Sequence, residues 1–182
     1  MTPEEKKAWL AAVKRSEFIG NLPWREALAY INTPLYGLTE EVCGYQRTKL
    51  VFDTENRVRL GYHSPRFKSH PEFGYSFLIE SSLYEEMEHQ ETLPQSKIVG
   101  RRSPQVDSIE RSHLFVATEA LFFIDGKHFK GYVSYQAAPV QYSRFMLYSG
   151  RIGIQGEALG PSLDELIQIL ESLHVLNGKE VE

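Results

Sequence analysis

The residues of this chain best equipped for chemistry are six histidines and a single cysteine, and their spacing limits what they can do. His63 and His70, in GYHSPRFKSHPEFGY, form a close histidine pair across a proline-rich loop. Two imidazoles so placed can meet, and Glu72 or Glu80 would extend the set. Zinc, however, asks for three or four ligands, and no short-range cysteine or histidine completes them. The segment therefore reads as a polar loop with binding capacity at His63, Arg66 and His70, and no metal is expected. Cys43, in EEVCGYQ, would need an imidazole nearby to yield a thiolate nucleophile. No local signature ties one to it, and a cysteine at the start of an apolar strand serves as a small buried hydrophobe. Asp107, Ser108 and His113 are triad residue types, but they lie too close together along the chain to imply triad geometry.

Phosphate-cradling and dinucleotide motifs, a serine elbow and paired zincin histidines are absent from the sequence, so no cofactor is expected. The glycines of RIGIQGEALG flank an antiparallel strand and do not lead from a strand into a helix. Charge is more telling. Residues 45 to 70 carry a formal balance of +4 and residues 71 to 96 one of −6. Two such blocks either neutralise each other across the fold or offer an acidic patch to a basic partner and a basic one to an anion. Arg101 and Arg102, in GRRSP, are further candidates for holding an anion.

Elements must position these groups, and the firmest is FFIDGKHFKGYVSY. An Asp125-Gly126 turn tolerates positive φ, and counting back from it pairs Phe122 with Phe129, Ala120 with Gly131, Thr118 with Val133 and Val116 with Tyr135. That face is apolar. Glu119, His128, Lys130 and Tyr132 then share the opposite, outward face as a contact surface. In SRFMLYSGRIGIQG, a Ser149-Gly150 turn would pair Leu147 with Ile152, Phe145 with Ile154 and Arg144 with Gln155, and would set Gly153 opposite Met146. YQRTKLVF and RVRLGYH make a hairpin about DTEN, and FGYSFLI another strand. Ser82 to Glu85 open a short helix towards Glu91. Residues 92 to 108 form a long exposed stretch.

Thr2-Pro3-Glu4-Glu5 starts one helix, ended by Gly20-Asn21, and residues 23 to 31 form a second, stopped by Thr33-Pro34. Near the other end, Ser162 and Glu165 make a capping box. Leu163, Leu166, Ile167, Leu170, Leu173 and Leu176 form one apolar stripe before Asn177-Gly178. The fold class is thus α+β, a single domain over 1–182. It has an antiparallel sheet of about seven strands, two N-terminal helices and one C-terminal amphipathic helix packed on one face.

At 182 residues, 42% hydrophobic and 24% charged, the chain is long enough for a full core without staples. A net charge of −4 argues against nucleic acid. No stretch suits a membrane span or signal peptide, and with one cysteine the expected location is cytoplasmic.

LPWREALAYINTPLYGL and RFMLYSGRIGIQGEALGPSLDELIQILESLH resemble the start and end of an uncharacterised bacterial extracytoplasmic domain found behind anti-sigma-type membrane anchors. The resemblance implies an open curved antiparallel sheet with helices on one face and a binding role without catalysis. It assigns no site residue. The function expected is a non-enzymatic binding or regulatory domain for a protein or small-molecule ligand. The alternatives are a bacterial immunity protein whose acidic patch covers a basic toxin, and an enzyme using Cys43 or His63 with His70.

Overall fold

Asp125 and Gly126 adopt φ of 47° and 79°, the two left-handed conformations that a type I′ hairpin turn demands. The strands on either side pair as that turn dictates, Phe122 with Phe129 through to Val116 with Tyr135. The computed structural model describes residues 2–4, 18–19, 28–29, 31–69, 74–85 and 116–181. Within them the strands are β1 (Phe18–Ile19), β2 (Tyr36–Leu38), β3 (Gln46–Thr54), β4 (Arg57–His63), β5 (Phe77–Leu83), β6 (Val116–Ile124), β7 (Lys127–Gln136), β8 (Tyr142–Ser149), β9 (Ile152–Leu159) and β10 (Leu173–Val175). The helix is α1 (Leu163–Glu171).

Eight strands make one antiparallel sheet in the order β1-β3-β4-β5-β9-β8-β7-β6, while β10 pairs with β2 in a separate two-stranded ladder. Two meanders, β3-β4-β5 and β6-β7-β8-β9, are thus joined where β5 meets β9. Alternation along each strand gives the sheet two unlike faces. Val58, Leu60, Tyr62, Phe77, Ile79, Phe122, Phe129, Phe145 and Leu147 are buried on the inner face, together with Leu163, Leu166, Ile167, Ile169 and Leu170 of α1. Burying each Phe or Leu contributes roughly 1.5–3 kcal/mol, which is why the rings determine which way the hairpins face. The helix lies across that face as its stripe requires. The Ser162 Oγ accepts from Glu165 N–H, and the Glu165 side chain accepts from Ser162 N–H, completing the capping box.

The sequence expectations differ from the structure in several places. Phe18–Ile19, placed at the end of the first helix, pair with Leu50 and Lys49 as a short edge strand. The rest of that helix and most of the second lie outside the described residues, as does the stretch 92–108. The third strand is Phe77–Leu83 and not Phe73–Ile79, so Ser82 opens no helix. Central between β4 and β9, residues 80–82 satisfy their backbone groups in two ladders at once. The β8–β9 turn is centred on Gly150 and Arg151, with Gly150 at φ 59° in the first central position. This shifts the pairing by two: Leu147 meets Ile154, Arg144 meets Glu157, Met146 meets Gln155 and Gly153 meets Tyr148. Finally, the helix stops at Glu171. Leu173 is buried as part of β10, and Asn177 anchors the exit by accepting from Leu35 N–H at 3.0 Å and donating to Thr33 O at 2.9 Å.

Candidate functional site

The register sets the outer face residue by residue. Along one row lie Arg59, Glu80, Gln155, Met146, Tyr132 and Glu119, carried by β4, β5, β9, β8, β7 and β6. The next row holds Gly61, Leu78, Glu157, Arg144 and Ser134. Between these rows the face sinks into a depression of about 570 Å³, lined by Arg59, Leu78, Glu80, Tyr132, Ser134, Arg144, Met146, Gln155 and Glu157 among others.

Its two carboxylates are engaged by neighbouring donors of the protein. Glu80 is only 5% exposed. Its Oε1 accepts from Arg57 Nε at 2.8 Å, Gln155 Nε2 at 2.6 Å and Ser82 Oγ at 3.2 Å, and the carboxylate holds the Arg57 guanidinium above its ordinary pKa. Glu157 accepts from the Tyr75 hydroxyl at 2.7 Å and from the Tyr142 hydroxyl at 2.6 Å. Burial first, and the bond to Glu157 second, push both phenols above their usual pKa, so they remain donors at neutral pH.

Arg59 and Arg144 complete the lining, each beside a carboxylate: Arg144 Nε lies 3.8 Å from Glu157 Oε2, and Arg59 pairs with Asp53. Arg144 Nε donates to the Tyr142 oxygen at 2.8 Å, while its terminal nitrogens have no hydrogen-bond partner among the described residues and its side chain is 67% exposed. Arg59 donates from Nη2 to Asp53 at 3.0 Å. Its Nε is shut off from solvent without a hydrogen-bond partner, 4.0 Å from Glu80 Oε2. Tyr132 at 39% exposed and Met146 at 46% supply apolar surface beside them.

Of the described candidates singled out from sequence, Glu80 and Tyr132 line the depression, whereas Cys43, His63, Arg66, Glu119, His128 and Lys130 do not. Glu119, His128 and Lys130 do lie on the outer face, with His128 exposed against the Phe123 ring at 5.0 Å near the hairpin tip. Arg66 instead pairs with Glu165 at the start of α1, and that carboxylate chiefly raises its pKa. His63 is exposed at the end of β4, with Nδ1 2.7 Å from Ser69 Oγ. His70, Arg101 and Arg102 lie outside the described residues, as do Asp107, Ser108 and His113. Cys43 does not begin a strand. It sits half-buried in a turn at φ 53°, its carbonyl accepting from Ser64 Oγ at 2.7 Å. Among the described residues, no three His, Cys, Asp or Glu side chains come together to hold a metal, and no helix is long and apolar enough to cross a membrane.

What sequence reading missed was the Arg59–Glu80–Gln155 and Glu157–Tyr142–Arg144 groupings. The polar alternation of RVRLG, LIES and IQGE was visible, but which polar residues became neighbours depended on the β5–β9 and β8–β9 registers. Comparison with protein-family models, with curated proteins and with solved structures finds no match.

Proposed function

We propose that the protein is a non-catalytic binding domain that takes a small molecule in the depression on the outer face of its sheet. The observation that carries this reading is the depression itself. At about 570 Å³ it falls within the size range of ligand sites, and it combines apolar walls with a few fixed polar groups. Those groups stand on strands held on both sides by ladders, which lowers the ordering cost of binding. The resemblance of the two chain ends to an uncharacterised bacterial extracytoplasmic domain implies a binding role without catalysis, which agrees with this reading. Service as an immunity protein would draw on the acidic block of residues 71–96, and there Glu80 is already taken up by Arg57, Gln155 and Ser82, so the depression has the stronger support.

A fragment library screened by ligand-observed NMR tests the reading, with Ser134→Trp as the variant that fills the depression. Fragments should lose signal in the presence of the wild type and recover it with Ser134→Trp, provided the variant keeps its melting temperature. Fragments that bind both proteins alike, or none that bind the wild type, would refute it.

A further inference from the structure

We infer that the depression recognises an anion, a carboxylate or phosphate borne on a flat apolar body, with the anion on Arg144 and Ser134 and the body on Tyr132 and Met146. The inference rests on the binding role proposed above and adds the charge and shape of the ligand.

The four residues form a square on two adjacent strands. Ser134 stands directly opposite Arg144, and Tyr132 directly opposite Met146. Such cross-strand neighbours are about 5 Å apart, and residues two apart on one strand about 7 Å. A charged group and a ring joined by a single bond therefore match the square's long dimension. The polarity follows from which hydrogen-bonding capacity is already spent. Every Glu80 and Glu157 contact described above is with an internal donor, so the carboxylates offer a ligand little, and Glu80 is buried besides. The unspent and exposed donors are the terminal nitrogens of Arg144, whose Nε alone is engaged, by Tyr142 and, at 3.8 Å, Glu157.

Arg144 is also held in position. Tyr142 gives its hydroxyl proton to Glu157 and accepts Arg144 Nε–H on the same oxygen, so the chain Glu157–Tyr142–Arg144 fixes the side-on edge of the guanidinium and leaves its end-on fork for a bidentate anion. Tyr142 is a positioning residue here and touches no ligand itself. A cationic ligand would meet the fork with like charge and would have to displace an internal donor to reach either carboxylate.

The experiment titrates phenyl phosphate, benzoate and benzamidine, which share a ring and differ in charge, into the wild type, Arg144→Gln, Arg144→Lys and Tyr142→Phe by calorimetry or NMR. The two anions should bind the wild type, and whichever binds tighter identifies the preferred group; benzamidine should bind at least about tenfold more weakly. Arg144→Gln should weaken the anions about tenfold or more, and Arg144→Lys should recover only part because it keeps the charge but not the fork. Tyr142→Phe should weaken them less than Arg144→Gln and leave the melting temperature near that of the wild type. Anions that bind Arg144→Gln as well as the wild type overturn the inference. Benzamidine binding as well as the anions, and losing that binding in Ser134→Trp, overturns it while leaving the binding role intact. Failure of all three probes, with no fragment of the library above binding either, removes both.

Discussion

Across the β4–β5 ladder, Arg57 Nε meets Glu80 Oε1 at 2.8 Å, joining the basic block of residues 45–70 to the acidic block of residues 71–96 in the middle of the sheet. Arg57 is half exposed, but Glu80 is buried and also holds Gln155 and Ser82, so the cluster rigidifies the floor on which the depression rests. Of the acidic block, Glu80 is absorbed in this way and offers no free carboxylate to a partner.

Replacing Glu80 by Leu should therefore destabilise the fold, because it strands Gln155 Nε2 and leaves Arg57 with only Asp53, at 3.8 Å. Buried ion pairs broken on one side typically cost about 3–5 kcal/mol, and the exposure of Arg57 lowers the expected loss to about 2 kcal/mol. The urea midpoint measures it, and an unchanged midpoint would show the cluster to be idle.

Two glycines separate backbone freedom from close approach. Gly126 has φ 79° and open space where a Cβ would go, so Gly126→Ala should cost only conformational strain, about 1 kcal/mol. At Gly156 a Cβ would come within 1.9 Å of the Leu78 carbonyl oxygen, the rung that joins β5 to β9. Gly156→Ala should thus open the junction of the two meanders and destabilise by about 3 kcal/mol or more. Parallel thermal melts should rank the two variants in that order.

The hairpin tip gives a pH dependence. Asp125 accepts from Val175 N–H at 2.9 Å and lies 3.1 Å from His174 Nδ1, and the first contact chiefly holds its carboxyl below the ordinary value of 3.8. Because the folded value is the lower one, this carboxylate stabilises the fold above pH 3.8, and the contribution fades as pH falls through the folded value. The stability difference between wild type and Asp125→Asn should shrink below that pH and stay constant from about pH 5 to 6. A difference that grows on acidification would contradict the linkage.

The Ser162 cap is a local test. Ser162→Ala removes the acceptor for Glu165 N–H and should cost about 1 kcal/mol, read from the same melts.

How far the sequence carried can be judged from the two C-terminal hairpins. Asp125-Gly126 admits one turn, and every pair across β6 and β7 follows from it. Ser149-Gly150-Arg151 admits glycine at either central position, and the structure uses the first. The resulting shift of two keeps each side chain on its expected face, since strand periodicity is two, so the core was legible there while the neighbours were not. Arg144 moved from Gln155 to Glu157, and with that pairing the Tyr142 tether and the anion site came into view. Leu173 misled differently. It continues a helical stripe, but its burial is achieved in a strand because residues 173–175 find backbone partners in residues 36–38. Long-range pairing of this kind has no local signal.

The central claim, a ligand site on the outer face of the sheet, is tested most directly by mapping amide shifts in a ¹H–¹⁵N spectrum during titration with phenyl phosphate. The largest changes should cluster at residues 132–134, 144–146 and 155–157, and saturate together. Changes that cluster instead around the 300 Å³ hollow by Tyr36, Asp125 and Lys127, or that spread without saturating, would contradict it.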